Sequence, residues 1–336
     1  MAPKEAEDIT SREEGVEPGS KRKVSDSNDL DEDQAADEPD TKKPRTASTT
    51  VEWLLSAEAF SLAFPALPQG HGEVDWDPNT RHQKPPPPES AGKKAAEKTD
   101  DTDTDDEPAA EEPLLTYPDS ALTPFQNLVA ALLLSKPISH RLGLRTINTL
   151  LNPPFRLRTP QDLDEAGFEG RRKVMWEART QHKEKTATQL GGLVEGVRRI
   201  CGGDDCAEGE EIEQMEGFRN KIKSCETPEE AQKRVESILK EGIKGVGPTG
   251  AGIFSRRVQG LWEEVFPYAD ERALDAAVSF ELIEDGAGAK ELAGAKELAE
   301  QVSCDRGQFV KLLDVLVGIQ LEKKMDEALE KAGVTE

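Results

Sequence analysis

The nine residues Ile243-Lys244-Gly245-Val246-Gly247-Pro248-Thr249-Gly250-Ala251 hold three glycines and a proline at the junction of two helix-like stretches. Glycine tolerates positive φ and lets another molecule approach the backbone closely. Pro248 suits the first position of a helix, where its missing N–H costs nothing. The amides after it then point out of the helix end unpaired and form a site for an anion, such as a phosphate of a nucleic-acid backbone. Ile243 and Val246 are placed to plug the turn into a core, and Lys244 at the tip adds positive charge. A nucleotide-binding P-loop is excluded, because no Gly-Lys-Ser/Thr follows at the required spacing and no strand precedes the turn. A plain glycine turn between two packed helices satisfies the same pattern.

The elements around this turn read as helices. Thr123-Pro124 opens one, and Phe125, Leu128, Val129, Leu132 and Leu133 recur at the spacing of a buried face. Leu142, Leu144, Ile147, Leu150 and Leu151 form a second, stopped at Asn152-Pro153-Pro154. Thr159-Pro160 starts a short third. Further helical stretches cover 171–181, 185–200, 231–241 and 250–264, with at least three more between Asp270 and Lys331. Residues 202–217 read as an acidic, glycine-rich loop. A six-residue duplication, 288–293 and 294–299, reads as a local helix-favouring repeat. No window alternates convincingly with period two, so the expected fold class is all-α.

Two regions precede or interrupt this pattern. Residues 1–113 are rich in Asp, Glu, Lys, Ser, Thr and Pro, with a proline run at 85–88 and an acidic run at 100–107, and read as a largely disordered tail. Within it, 51–64 is an apolar island carrying Val51, Trp53, Leu54, Leu55, Phe60, Leu62 and Phe64. It is suited either to dock on the folded part as a helix or to bind a partner. The folded region is expected to span 114–330.

Charge is distributed unevenly. The chain carries 67 acidic and 43 basic residues, a net of −24, which disfavours indiscriminate binding to nucleic acid or anionic membranes. Residues 121–200 run the other way, with 13 basic and 7 acidic residues. The longest dense apolar run, Leu128–Leu134, is far shorter than the roughly 20 residues of a membrane-spanning helix. No secretory apolar region follows the acidic start. Cys201, Cys206, Cys225 and Cys304 contain no C-x-x-C pair and read as reduced thiols of an intracellular protein. The basic clusters Lys21-Arg22-Lys23 and Lys42-Lys43-Pro44-Arg45 match what nuclear import receptors recognise, which points to the nucleus.

The turn resembles the hairpin of the helix-hairpin-helix (HhH-GPD) base-excision DNA glycosylases related to endonuclease III, which reads roughly Leu-Pro-Gly-Val-Gly-x-x-Thr-Ala. That family carries a catalytic aspartate some twenty residues later. Here Phe266-Pro267-Tyr268-Ala269-Asp270 brings Asp270 23 residues after Gly247. The stretch 122–135 is similar to the family's first barrel helix, 159–166 with Arg171-Arg172-Lys173 to the next helix and its basic turn, and 305–321 to the closing helix. The likeness covers 121–325.

The resemblance implies two helical subdomains flanking a cleft, double-stranded DNA as partner, a monomer, and a damaged base turned out of the stack. Asp270 becomes the candidate catalytic carboxylate, stabilising positive charge on the sugar and orienting or deprotonating water. On its own residues, Asp270 also reads as a helix N-cap. Gly245, Val246, Gly247, Thr249 and Gly250 with Lys244, Lys136, Arg171, Arg172 and Lys173 become the candidate DNA contacts. Trp176, Gln181, His182 and Tyr268 are base-pocket candidates, each also fit for ordinary core or surface duty. Lyase-competent members carry a lysine where this chain has Thr249, so the expected enzyme is monofunctional, with Lys136 and Lys244 the nearby candidates for a displaced amine. Only Cys304 follows the hairpin, so no iron–sulfur cluster is expected, nor any other metal or cofactor. The competing expectation is an inactive DNA-binding scaffold with a nuclear regulatory role.

Overall fold

The computed structural model describes residues 47–66, 113–202, 210–285 and 292–334. The basic clusters at 21–23 and 42–45, the runs at 85–88 and 100–107, Cys206 and residues 288–291 of the duplication lie outside the described residues. All described residues fall in one compact unit. Among them are fifteen α-helices and no strand: α1 (Ala47–Leu54), α2 (Ala57–Ala63), α3 (Pro124–Leu134), α4 (His140–Leu151), α5 (Pro160–Glu165), α6 (Gly167–Glu177), α7 (Lys183–Cys201), α8 (Glu210–Glu213), α9 (Glu216–Ile222), α10 (Pro228–Gly242), α11 (Pro248–Val258), α12 (Glu271–Ser279), α13 (Leu292–Glu300), α14 (Arg306–Leu321) and α15 (Met325–Ala332). The all-helical expectation holds for these residues.

Local chemistry sets many helix boundaries. Thr123 and Thr159 build capping boxes with Gln126 and Asp162, each followed by proline at the start of its helix. Thr227 caps α10 and Asp305 caps α14. Such a cap typically contributes about 1 kcal/mol. The helix expected over 250–264 stops at Val258. Gln259 and Gly260 end it, Trp262 is buried, and a 3₁₀ turn follows at Glu263–Val265. Part of the expected loop over 202–217 is helical as α8 and the start of α9. There Ile212 and Met215 are buried, so apolar anchors override an acidic local composition.

The apolar residues assemble into two clusters. One joins α3, α4, α7, α9, α10 and α11, with Phe218, Phe254 and Trp262 packed ring against ring at 5.4–6.3 Å. The other joins α1 and α2 to α12–α15. The apolar island is therefore two helices packed on the domain, with Trp53, Leu54, Ala59 and Ala63 buried. No described helix is long and apolar enough to cross a membrane.

Candidate functional site

The turn between α10 and α11 is a hairpin anchored from below and open above. Ile243 and Val246 are buried, while Lys244, Gly245, Pro248 and Thr249 are exposed. Gly245 has φ +103°, a conformation that excludes ordinary side chains, and a Cβ there would lie 2.2 Å from Gln189 Nε2. Gly247 occupies the N-cap of α11 with no side chain to cap it, so the first-turn amide of the exposed Thr249 is left to an outside acceptor, while Gly250, the next sequence-predicted contact, is buried. Beside the turn, Lys136 Nζ donates to Gln189 Oε1 at 2.6 Å. Burial, and then Lys185 nearby, pull the Lys136 amine below the usual lysine range.

The loop that follows α11 is held by two glutamines. Gln259, fully buried, donates to the carbonyls of Tyr268 (2.8 Å) and Arg256 (2.9 Å) and accepts from the Tyr268 amide (2.8 Å). Gln232 Nε2 donates to the carbonyls of Val265 and Pro267, both at 2.8 Å. Together they fix the backbone that delivers Tyr268 and Asp270. Gln259→Leu strands three backbone groups in the interior, each costing about 1–3 kcal/mol. A loss of roughly 2 kcal/mol or more is expected in urea unfolding, with faster hydrogen exchange at the Tyr268 amide; unchanged exchange there would show that Gln232 alone suffices.

Asp270 is the N-cap of α12. Its Oδ1 accepts from the Ala273 amide at 3.0 Å, and its Oδ2 pairs with Arg256 Nη1. Its side chain is 20% exposed. Arg256 also faces Asp314 (Nε to Oδ1, 3.5 Å), and Asp314 pairs with Arg257. Burial acts to lower the pKa of Arg256, but the carboxylates of Asp270 and Asp314 outweigh it and hold the guanidinium above the ordinary arginine value. Arg257 also donates to the Pro118 carbonyl at 2.9 Å and lies 5.2 Å from the Tyr117 ring centre. This buried run of charges links α11, α12 and α14.

Asp270 and the first turn of α11 line one cavity of about 320 Å³. Thr249, Gly252, Ile253 and Arg256 come from α11, Tyr268 and Asp270 from the pinned loop, His140 from the start of α4, and Val317, Gly318 and Leu321 from α14. Phe64 and Tyr117 complete its aromatic lining. The Tyr268 phenol is pushed up to about 12 by burial and then by the Asp270 carboxylate, so it is a neutral donor at physiological pH. His140 pairs with Glu322 at 3.1 Å. Burial nevertheless pulls the imidazole below 6.5, the Glu322 contacts opposing it.

His140 has a folded pKa below its unfolded value, so the unfolded chain binds the extra proton first. Its contribution to stability is complete above about pH 6.5 and declines as pH falls below that toward the depressed folded value. Denaturant midpoints measured from pH 7.5 to 5.5 are expected to drop in wild type and to flatten in His140→Gln. A parallel drop in both proteins would assign the acid sensitivity to other groups.

The remaining candidates lie elsewhere. Arg171 donates to the carbonyls of Ala187 (3.1 Å) and Leu163 (2.5 Å), so its guanidinium serves the junction of α5, α6 and α7. Arg172 pairs with Glu169 and Glu184. Lys173 is exposed. Trp176 carries the Lys183 ammonium 4.5 Å from its ring centre, and Gln181 and His182 are exposed. None of these lines the cavity that holds Asp270; of the four base-pocket candidates, Tyr268 alone does. Sequence reasoning missed Arg256, Arg257, Asp314, His140, Phe64 and Gln259 as members of this site. One signal was available: Asp314 is a lone acid inside the apolar run Phe309–Ile319, where an unpaired carboxylate is untenable. Among the described residues no group of His, Cys, Asp and Glu side chains is arranged to hold a metal ion. Comparison with protein-family models, curated proteins and solved structures finds no match.

Proposed function

We propose that the chain is a monofunctional DNA N-glycosylase of the helix-hairpin-helix type, working in DNA repair, with its two apolar clusters forming the two subdomains that flank a cleft. The observation that carries the reading is that Thr249, at the open amide end of α11, and the Asp270 carboxylate line the same cavity. A phosphate held by the Thr249 amide at this helix end leaves the neighbouring sugar near the carboxylate. As the N-glycosidic bond breaks, its electron pair leaves with the base and positive charge develops on the sugar ring. Asp270 stabilises that charge, and water adds at the anomeric carbon as its proton passes to a carboxylate oxygen. Tyr268 and neutral His140 supply polar contacts for an extruded base. Thr249 stands where an imine-forming lysine would be needed, so strand cleavage through a Schiff base is not part of the reaction. Lys244 and Lys136 extend the phosphate contacts, and the basic clusters at 21–23 and 42–45 fit an import receptor and work in the nucleus.

A second reading is favoured by one observation. Both Asp270 oxygens are already engaged, one by Arg256 and one by the Ala273 amide. A scaffold that binds DNA without excising a base has no need of a free carboxylate. Release of free base from duplexes bearing alkylated, oxidised, deaminated or mispaired bases separates the two, with fluorescence anisotropy on the same duplexes. Binding that weakens steeply with salt plus base release supports the glycosylase. Binding without release from any duplex supports the scaffold, and no binding removes both.

A further inference from the structure

We propose that the segment Ala47–Phe64 is a built-in wall of the Asp270 cavity, with Phe64 the positioning residue that holds the His140 side of that cavity dry. The part of this proposal that concerns base release rests on the glycosylase reading; the wall itself does not. The segment reaches the domain from far away in sequence, since residues 67–112 separate it from the next described stretch. It is seated by specific contacts. Ala59 and Ala63 are fully buried against the second apolar cluster. A Cβ at Gly318 would lie 2.7 Å from Ala63 Cβ and 3.0 Å from the Ala63 carbonyl oxygen, so α2 meets α14 at a point that tolerates no side chain. Lys311 Nζ donates to the Leu55 carbonyl at 2.8 Å, tying the turn between α1 and α2 to α14.

This seating puts Phe64, the C-cap of α2, on the cavity wall beside His140, Gly318 and Leu321. Its ring lies 5.6 Å from the His140 ring and 5.1 Å from Phe60. The His140 imidazole is 6% exposed and sits among Glu322, Arg256 and Asp314 with Arg141 on the far side of Glu322. An apolar ring over a nearly buried imidazole excludes water from it and leaves Glu322 as its polar partner. The site facing an extruded base is therefore completed by residues that precede the rest of the domain by a long stretch of chain.

The test uses the full-length chain with Phe64→Ala and Phe64→Leu. The chain has four histidines and four tryptophans. The His140 ring signal is assigned by its loss in His140→Gln, and Trp53 is followed by fluorine NMR of 5-fluorotryptophan as a reporter of docking. In Phe64→Ala the His140 midpoint is expected to climb toward 6.5 as water reaches the ring. In Phe64→Leu, which keeps an apolar cover, it stays near the wild-type value. If Phe64→Ala also frees the segment, Trp53 shifts and the His140 midpoint rises with it, which equally supports a wall. An unshifted His140 in Phe64→Ala, with Trp53 either docked or freed, overturns the proposal. In the activity arm, single-turnover base release falls roughly 10-fold in Phe64→Ala while duplex affinity holds, because misplacement in the cavity acts on the reaction and not on phosphate contacts. Wild type that releases no base removes the glycosylase reading and leaves the His140 titration to decide the wall.

Discussion

Asp314→Ala is expected to destabilise the protein by about 3–5 kcal/mol, the cost of removing one member of a buried ion pair and leaving its partner charged and uncompensated. The Asp314 side chain is 3% exposed and answers two arginines, Arg256 and Arg257, themselves 7% and 11% exposed. Arg256 retains Asp270 after the substitution. Arg257 does not have a second carboxylate: its remaining contacts are the Pro118 carbonyl at 2.9 Å, a long 3.4 Å approach to Asn127 and the Tyr117 ring at 5.2 Å. Most of the loss is therefore assigned to Arg257, and a compensating change there should recover it. The pair Arg257→Met with Asp314→Leu replaces charges by apolar volume, an exchange that is often neutral or better. Chemical denaturation of the single and double variants measures this, and the single change should lower the thermal midpoint by roughly 10 °C in a domain of this size. Equal losses in the single and double variants would show that hydrogen bonding, not unpaired charge, dominates the site.

The hairpin was legible in the sequence because its information is local. Gly245 must adopt φ +103°, Gly247 must leave a helix end uncapped, and Pro248 must begin a helix, and each demand restricts the residue type at its own position. Helix starts were legible for the same reason at Thr123, Thr159 and Asp270. The charge network was not, because its members are set by packing between distant helices. Arg257 and Asp314 are 57 positions apart, and nothing in the spacing announces that α11 and α14 face each other there. Arg171 shows the converse failure. Its place in a basic window suggested a phosphate contact, yet its guanidinium is occupied by the carbonyls of Leu163 and Ala187. Charge composition counts cations but does not tell which of them a fold uses to satisfy its own helix ends. Phe64 lay in an island whose apolar content fitted docking and partner binding alike, and its approach to His140 depends on how α2 seats against Gly318.

Asp270→Asn separates chemistry from folding more cleanly than any other change in the cavity. Asparagine caps helices about as well as aspartate, so the bond from the Ala273 amide to the side-chain oxygen is kept. Arg256 loses one carboxylate but keeps Asp314 at 3.5 Å, so the expected stability cost is only about 1–3 kcal/mol, below that of Asp314→Ala. On the glycosylase reading the loss of negative charge beside the sugar should slow base release by about 10²–10³-fold, comparable to removing one preorganised stabilising group elsewhere. Duplex affinity should change little, since that reading assigns it to the hairpin amides and Lys244. The Arg256 contact sharpens the expectation. A carboxylate already paired with a cation gives less stabilisation to a second positive charge, so on the glycosylase reading the wild-type rate would depend on how far Arg256 shifts toward Asp314 when DNA is bound. Arg256→Gln tests that dependence in the opposite direction from Asp270→Asn. If Arg256 restrains the carboxylate, single-turnover release per folded molecule rises while stability falls; if Arg256 aligns it, both fall together. A wild-type protein that binds duplex but shows no release in either background leaves Asp270 the helix cap and ion-pair partner of a DNA-binding scaffold.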